Sequence, residues 1–237
     1  MSTVFLSADS ARSLHEFFRK KGYNVHLIRT SGIVQEPVSC HPDMFMCRLG
    51  IDEGSPVFHC PDISEDLGID TALDDSLLAA GSRSPETCYP YDIAYNAACT
   101  GRFFIHYLKY TDPALLSAAK ASSMQLVDVK QGYAKCSTVI IDSSSVITYD
   151  RGIARTCEAA GMNVLTVSPG NVILPGYDTG FLGGASGRVD DTVYFNGDLT
   201  AHPDFRMICD FIDSRGLRIR WFEDYPLTDI GSIIQLK

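Results

Sequence analysis

Hydrophobic and polar positions alternate between two periods along this chain, and they do so repeatedly. Ser10 to Ile28, Asp150 to Val167 and Pro203 to Phe222 each begin with apolar residues at helical spacing. Each then stops at a glycine (Gly22, Gly161, Gly216) and ends in a short apolar strand. Thr111-Asp112-Pro113 opens a fourth copy as a cap followed by a helix-initiating proline, and its strand is Gln125 to Val129. A weaker fifth copy reads as a helix over Asp74 to Gly81 followed by an extended stretch from Ser84 to Cys88. After each strand a turn leads into a second segment of apolar and small residues. These segments start at His41, Tyr89, Gln131, Pro175 and Tyr225, roughly 45 residues apart.

One strand-helix-strand-strand unit cannot bury both faces of its sheet, whereas a ring of five can. The pattern therefore predicts an α/β fold: one domain over residues 1–237 with repeats at 1–50, 51–100, 101–141, 142–190 and 191–237, arranged as a five-bladed α/β propeller about a pseudo-five-fold axis. Inner strands are expected to begin near residues 43, 92, 135, 179 and 229.

Composition narrows the function. The 237 residues are 45% hydrophobic and carry 29 acidic against 20 basic side chains, a formal charge of −9, which opposes binding to a phosphate backbone. No apolar run approaches the roughly 18 residues of a membrane span. The start, Met1 to Leu6 followed by Asp9, lacks the basic and apolar regions of a secretory signal, so a cytoplasmic location is expected. Eight cysteines, at 40, 47, 60, 88, 99, 136, 157 and 209, form no CxxC pair and no zinc-type spacing with histidine. They read as reduced, mostly buried thiols, with no metal and no cofactor expected. The glycines from Gly183 to Gly187 lack the lysine and hydroxyl of a phosphate loop.

Candidate chemistry lies where the inner strands begin. Aligning the five inner segments places Asp43, Asp92, Lys135, Thr179 (beside Asp178) and Asp229 at equivalent positions. If they converge, several carboxylates around one lysine make an acidic cup for a guanidinium or amine, whose N–H groups pair with carboxylates. Like charges in such a cup resist joint ionisation, so at least one carboxyl should titrate high. The same residues also serve as turn and strand caps, which leaves the cup as one of two readings. His41, two residues before Asp43, is the candidate proton-transfer group. Tyr89, Tyr91, Tyr133, Tyr177 and Tyr225 recur at one place in the repeat, either as a pocket rim or as structural corners.

Five such units resemble the pentein fold, the propeller of guanidino-group-modifying enzymes: arginine and agmatine deiminases, dimethylarginine hydrolases and amidinotransferases. His41-Pro42-Asp43 resembles the H-x-D element of the deiminases. The resemblance implies that His41 is a general acid/base, that Asp43 grips a guanidinium, and that a thiolate in the last blade attacks its carbon. The last inner segment, Thr228 to Gln235, departs from that pattern, since Ser232 stands where a cysteine would be expected. Cys136, beside Lys135, is the best substitute nucleophile, although strand alternation would point the two side chains to opposite faces. The resemblance implies a cationic small-molecule ligand bound by Asp92, Lys135, Asp178 and Asp229, with a guanidine-modifying hydrolase or transferase activity. It also allows a non-catalytic propeller that binds a protein partner, as translation initiation factor 6 does on this fold.

Overall fold

In the structure, a computed structural model describing residues 2–29, 32–62 and 77–237, the alternation of periods becomes an alternation of strands and helices. The chain runs β1 (Thr3–Ser7), α1 (Arg12–Lys20), β2 (Asn24–Ile28), a four-residue α2 (Pro42–Phe45) and β3 (Met46–Arg48). Next come β4 (Val57–His59), β5 (Leu78–Ala80) and β6 (Ala98–Cys99), then β7 (Phe103–His106), α3 (Pro113–Ala121), β8 (Gln125–Asp128) and β9 (Thr138–Ile140). β10 (Ser145–Thr148), α4 (Arg151–Ala159), β11 (Asn163–Thr166) and β12 (Ser186–Val189) follow, and the chain closes with β13 (Thr192–Phe195), α5 (Phe205–Asp213), β14 (Arg218–Arg220) and β15 (Ile234–Leu236).

Among the described residues, fifteen strands form five separate three-stranded sheets, β15-β1-β2, β3-β4-β5, β6-β7-β8, β9-β10-β11 and β12-β13-β14. In each, the first pair is antiparallel and the second parallel. A parallel neighbour needs a crossover connection, and α1, α3, α4 and α5 supply it in four sheets. The C-terminal β15 completes the sheet begun by β1, with Phe5 opposite Ile234. β15, β3, β6, β9 and β12 are neighbours in turn, and β12 again lies beside β15.

Middle strands β1, β7, β10 and β13 are buried along their whole length because sheets or helices cover both faces. Leu14 and Phe18 of α1 pack on Val4 and Leu6, and Ile208 and Ile212 of α5 pack with Ile147 and Phe195. Gly22, Gly161 and Gly216 stop their helices with φ of +86°, +89° and +71°, and Asp112 caps α3 by accepting from the Leu115 N–H. α3 has no glycine stop: Ser123 takes the left-handed conformation instead, at φ +56°. Relieving that cost should make Ser123→Gly more stable by about 0.5–1 kcal/mol, measured by urea unfolding.

Three expectations need correction. Each inner strand begins a few residues after the predicted position, because residues 43, 92, 135, 179 and 229 lie in turns or in α2 that feed those strands. Leu78–Ala80 is itself the outer strand β5, paired in parallel with β4, whereas residues 84–88 form no strand. The first part of the helix read over 74–81, residues 74–76, lies outside the described residues. None of the eight cysteines forms a disulfide, but Cys88 is exposed and Cys209 only half-buried, so the buried-thiol reading holds for the other six. Among the described residues no helix is long and apolar enough to cross a membrane.

Candidate active site

The turns that precede the inner strands meet at one end of those strands. His41 and Asp43 flank Pro42 at the start of α2, and the Asp43 N–H donates to the Gly231 carbonyl (3.1 Å). That contact brings the last inner segment against the first. Gly231 is required there, since its φ is +67° and a Cβ would sit 2.1 Å from the His41 Cβ. Ser232 follows in the same left-handed region at φ +75°, a conformation that costs a non-glycine residue roughly 1–2 kcal/mol. Its hydroxyl donates to Asp43 Oδ2 (2.6 Å) and lies 2.9 Å from the Lys135 ammonium, which donates to it.

Lys135 and Cys136 both reach this centre because residues 134–137 form a turn before β9 starts at Thr138. Alternation therefore does not apply, and the expectation that the two side chains diverge is corrected. Asn96 organises the turn: its Oδ1 accepts from the Lys135 and Cys136 N–H groups (2.9 and 3.2 Å), and its Nδ2 donates to Cys136 Sγ (3.2 Å). Sequence reasoning missed Asn96. The available signal was a lone amide in the otherwise apolar run from Ile93 to Cys99. The Cys136 thiol donates to the same Asp43 Oδ2 that holds Ser232 (3.1 Å).

Asp229 is fixed by two backbone donors, Phe181 N–H on Oδ2 (2.9 Å) and Gly231 N–H on Oδ1 (3.0 Å). Gly184 lets the carboxylate lie this close, since a Cβ there would fall 2.0 Å from Oδ1. His41 Nδ1 stands 3.8 Å from Asp229 Oδ1, too far for a hydrogen bond, and is buried without a partner, as is Asp43 Oδ1. A ring nitrogen of His41, Cys136 Sγ and a carboxylate oxygen of Asp229 lie within 4.8 Å of one another, a set that could also hold a metal ion. Sequence spacing could not show this cluster, because its members come from three distant segments.

His41, Cys136 and Asp229 line a cavity of about 160 Å³ walled by Tyr133, Tyr177 and Phe181. Drug-sized ligands occupy roughly 300–1,000 Å³, so this space suits a small molecule. The flat Phe181 ring is held by stacking on Tyr149.

Electrostatics follow from dryness. Burial raises the Asp43 carboxyl, against the charges of His41 and Lys135 that pull it down. Asp229 is pushed up to about 6 by burial, despite its two backbone donors and Lys135. Burial lowers Lys135, and it lowers His41 against the pull of Asp43 and Asp9. Burial and then the carboxylates of Asp43 and Asp229 raise the Cys136 thiol far above its ordinary range. High-titrating carboxyls are thus present as expected, but desolvation rather than mutual repulsion is the principal cause.

Two expected members lie elsewhere. Asp92 is buried behind the cavity wall, accepting from the Tyr133 hydroxyl (2.6 Å). Asp178 is exposed in a separate open cleft with Asp198, Glu223 and Asp224. The centre holds two carboxylates, not four. The recurring tyrosines also divide: Tyr133 and Tyr177 line the cavity, Tyr89 packs on Tyr133, and Tyr225 lines the open cleft.

A family model described as a family of unknown function, DUF6873, matches residues 5–234. The chain belongs to DUF6873. No curated protein matches it in sequence. This DUF6873 fold is similar to that of an agmatine deiminase from C. jejuni, with a TM-score of 0.56 at 6% identity over 94% of this chain and 86% of that one. It is also similar to SxtG, an amidinotransferase from Microseira wollei in the saxitoxin biosynthetic pathway. There the TM-score is 0.54 at 8% identity, over 93% of this chain and 88% of that one. A cysteine-to-serine form of the C. jejuni deiminase with substrate bound gives a TM-score of 0.53 at 8% identity, over 99% and 92%. The DUF6873 chain therefore has the pentein α/β fold, built from five small sheets and their helices.

Proposed function

We propose that this protein is a five-bladed pentein propeller that binds a small guanidine or amine in the cavity beside His41 and, where the ligand is a guanidine, acts on its carbon covalently through Cys136. The observation carrying this reading is that a thiol, an imidazole and a carboxylate line one small, dry, aromatic-walled cavity. Asp229 supplies the counter-charge, and Tyr133 and Phe181 supply faces on which a planar cation stacks. Eight cysteines, none of them in a disulfide, favour a reducing, cytoplasmic setting.

The chemistry follows from the charges. In this structure Cys136 is a thiol held by Asp43. A bound cation offsets the nearby carboxylates, so the thiolate becomes accessible, with its proton passing to His41. The sulfur then bonds to the guanidinium carbon, and the C–N bond to the leaving amine breaks as His41 returns the proton to nitrogen. Water, or an acceptor amine, adds to the sulfur-bound carbon and expels the thiol. Lys135 and Ser232 hold Asp43 in place and do not touch the carbon.

A thermal-shift panel tests this. Arginine, agmatine and methylated guanidines should raise the melting temperature by mass action, while neutral amides should not. Because Asp229 titrates at about 6, it is largely neutral at pH 5 and ionised at pH 7. The cation-dependent shift should therefore grow between those values and be much reduced in Asp229→Asn. Equal, negligible shifts for every class would reject the cation site and leave a partner-binding propeller.

A further inference from the structure

The other end of the inner strands carries opposite chemistry. Beyond Lys135, residues of β3, β6, β9, β12 and β15 enclose a second cavity of about 50 Å³. Its polar side chains include Arg48 on β3, Arg188 on β12 and Gln235 on β15. By the volume one water needs, this is room for about three or four heavy atoms.

The two guanidinium groups are placed as an acceptor site would require. Arg48 Nη2 donates to the Asp52 carbonyl (2.8 Å) and Nη1 makes only a long contact with Gln235 Oε1 (3.5 Å), while its Nε is buried without a partner. Arg188 is held through backbone carbonyls, Nε to Asp190 (2.9 Å) and Nη1 to Ile141 (2.6 Å). Among the described residues neither arginine forms an ion pair. The nearest candidate, Asp190, directs its carboxylate to Tyr23, Gln235 and Lys237. Asp190 and Asp52 add negative charge around Arg48, and Asp142, Asp52 and Asp191 around Arg188, without forming an ion pair with either. Burial lowers the pKa of both arginines, and Arg188 lowers that of Arg48 further, so the two cations repel each other in a poorly solvated place. Like charges are seldom kept together there without a compensating anion.

We propose that the Arg48–Arg188 cavity is a binding site for a small oxyanion of about three or four heavy atoms, a carboxylate such as formate or acetate, gripped by the two guanidinium forks. Two forks suit such a group because each presents parallel N–H donors to paired oxygens. A net charge of −9 gives the rest of the surface no general affinity for anions, so saturable binding would be local. The proposal does not rest on the Cys136 reading, since the two cavities open at opposite ends of the inner strands.

The test titrates formate and, separately, acetate into the full-length protein, with ionic strength held constant by chloride, following melting temperature and calorimetric heat. Wild type and Cys136→Ala should both show a saturable rise, with formate and acetate ranking which size of carboxylate the site prefers. Arg188→Gln and Arg48→Gln should each weaken binding by about tenfold or more, and Arg48→Lys, which keeps charge but not the fork, should fall between. Arg188→Gln also loses the bonds to the Asp190 and Ile141 carbonyls, so the circular dichroism and anion-free melting curve of each variant are recorded first, and a variant that folds yet gives no anion-dependent shift separates lost binding from lost folding. No saturable response to either anion in wild type, or an equal response in Arg188→Gln, would overturn the proposal.

Discussion

Cys136→Ala should lower turnover of the best-shifting guanidine by about a thousandfold or more, because Cys136 is the one thiol among the described residues that line the cavity. Removing the thiol leaves Asp43 its bond to Ser232, so ligand binding in the thermal-shift assay should survive. Ser232→Ala is the informative contrast. It deletes one hydrogen bond to Asp43 and one from Lys135, and should cost about tenfold. If instead Ser232→Ala abolished turnover while Cys136→Ala retained it, the nucleophile would have been assigned to the wrong segment.

The largest stability effect is expected at Gly231. Alanine there must both hold φ near +67° and place its Cβ 2.1 Å from the His41 Cβ, with backbone contacts leaving little room to yield. Overpacking and left-handed strain together predict a loss of about 2–5 kcal/mol in urea unfolding. Gly22→Ala isolates the backbone part, since φ is +86° but nothing lies within 4 Å of the added Cβ. That variant should lose only about 1–2 kcal/mol. Equal losses in the two would mean that His41 is not pressed against the last inner segment.

Local periodicity carried most of the fold. Leu14 and Phe18 recur at helical spacing, Gly22 stops the helix and Asn24–Ile28 alternates, so each unit declares itself without reference to distant residues. The pairing of β15 with β1 is non-local, and the repeat bounds did not show it, since the inner segment assigned to residues 191–237 completes the sheet begun at Thr3–Ser7. His41, Asp43, Lys135, Cys136 and Asp229 do meet, because the segments before the inner strands occupy one end of them. Asp92 and Asp178 share the same place in the repeat, yet one turns behind Tyr133 and the other into solvent. A repeat fixes where a backbone passes; a turn residue's direction depends on its own φ and ψ. Lys135 and Cys136 show the same limit, since period-two alternation presumes a strand and the chain is still turning there. Asn96 was invisible because its role is to accept two N–H groups of a turn 39 and 40 residues away.

The central claim, a cation-selective cavity whose thiol attacks carbon, is tested most directly by a pair of alkylating reagents of nearly one shape. Chloroacetamidine carries a planar cation, and chloroacetamide is its neutral counterpart. Peptide mapping by mass spectrometry would give the labelling rate at each cysteine, with exposed Cys88 reporting the intrinsic reactivity of the two reagents. Relative to Cys88, Cys136 should react about tenfold or more faster with the cationic reagent than with the neutral one, since the carboxylates concentrate the cation and its charge favours the thiolate. Asp229→Asn should remove that preference. A Cys136 that shows no more preference than Cys88, or that resists both reagents in the native protein, would contradict the account.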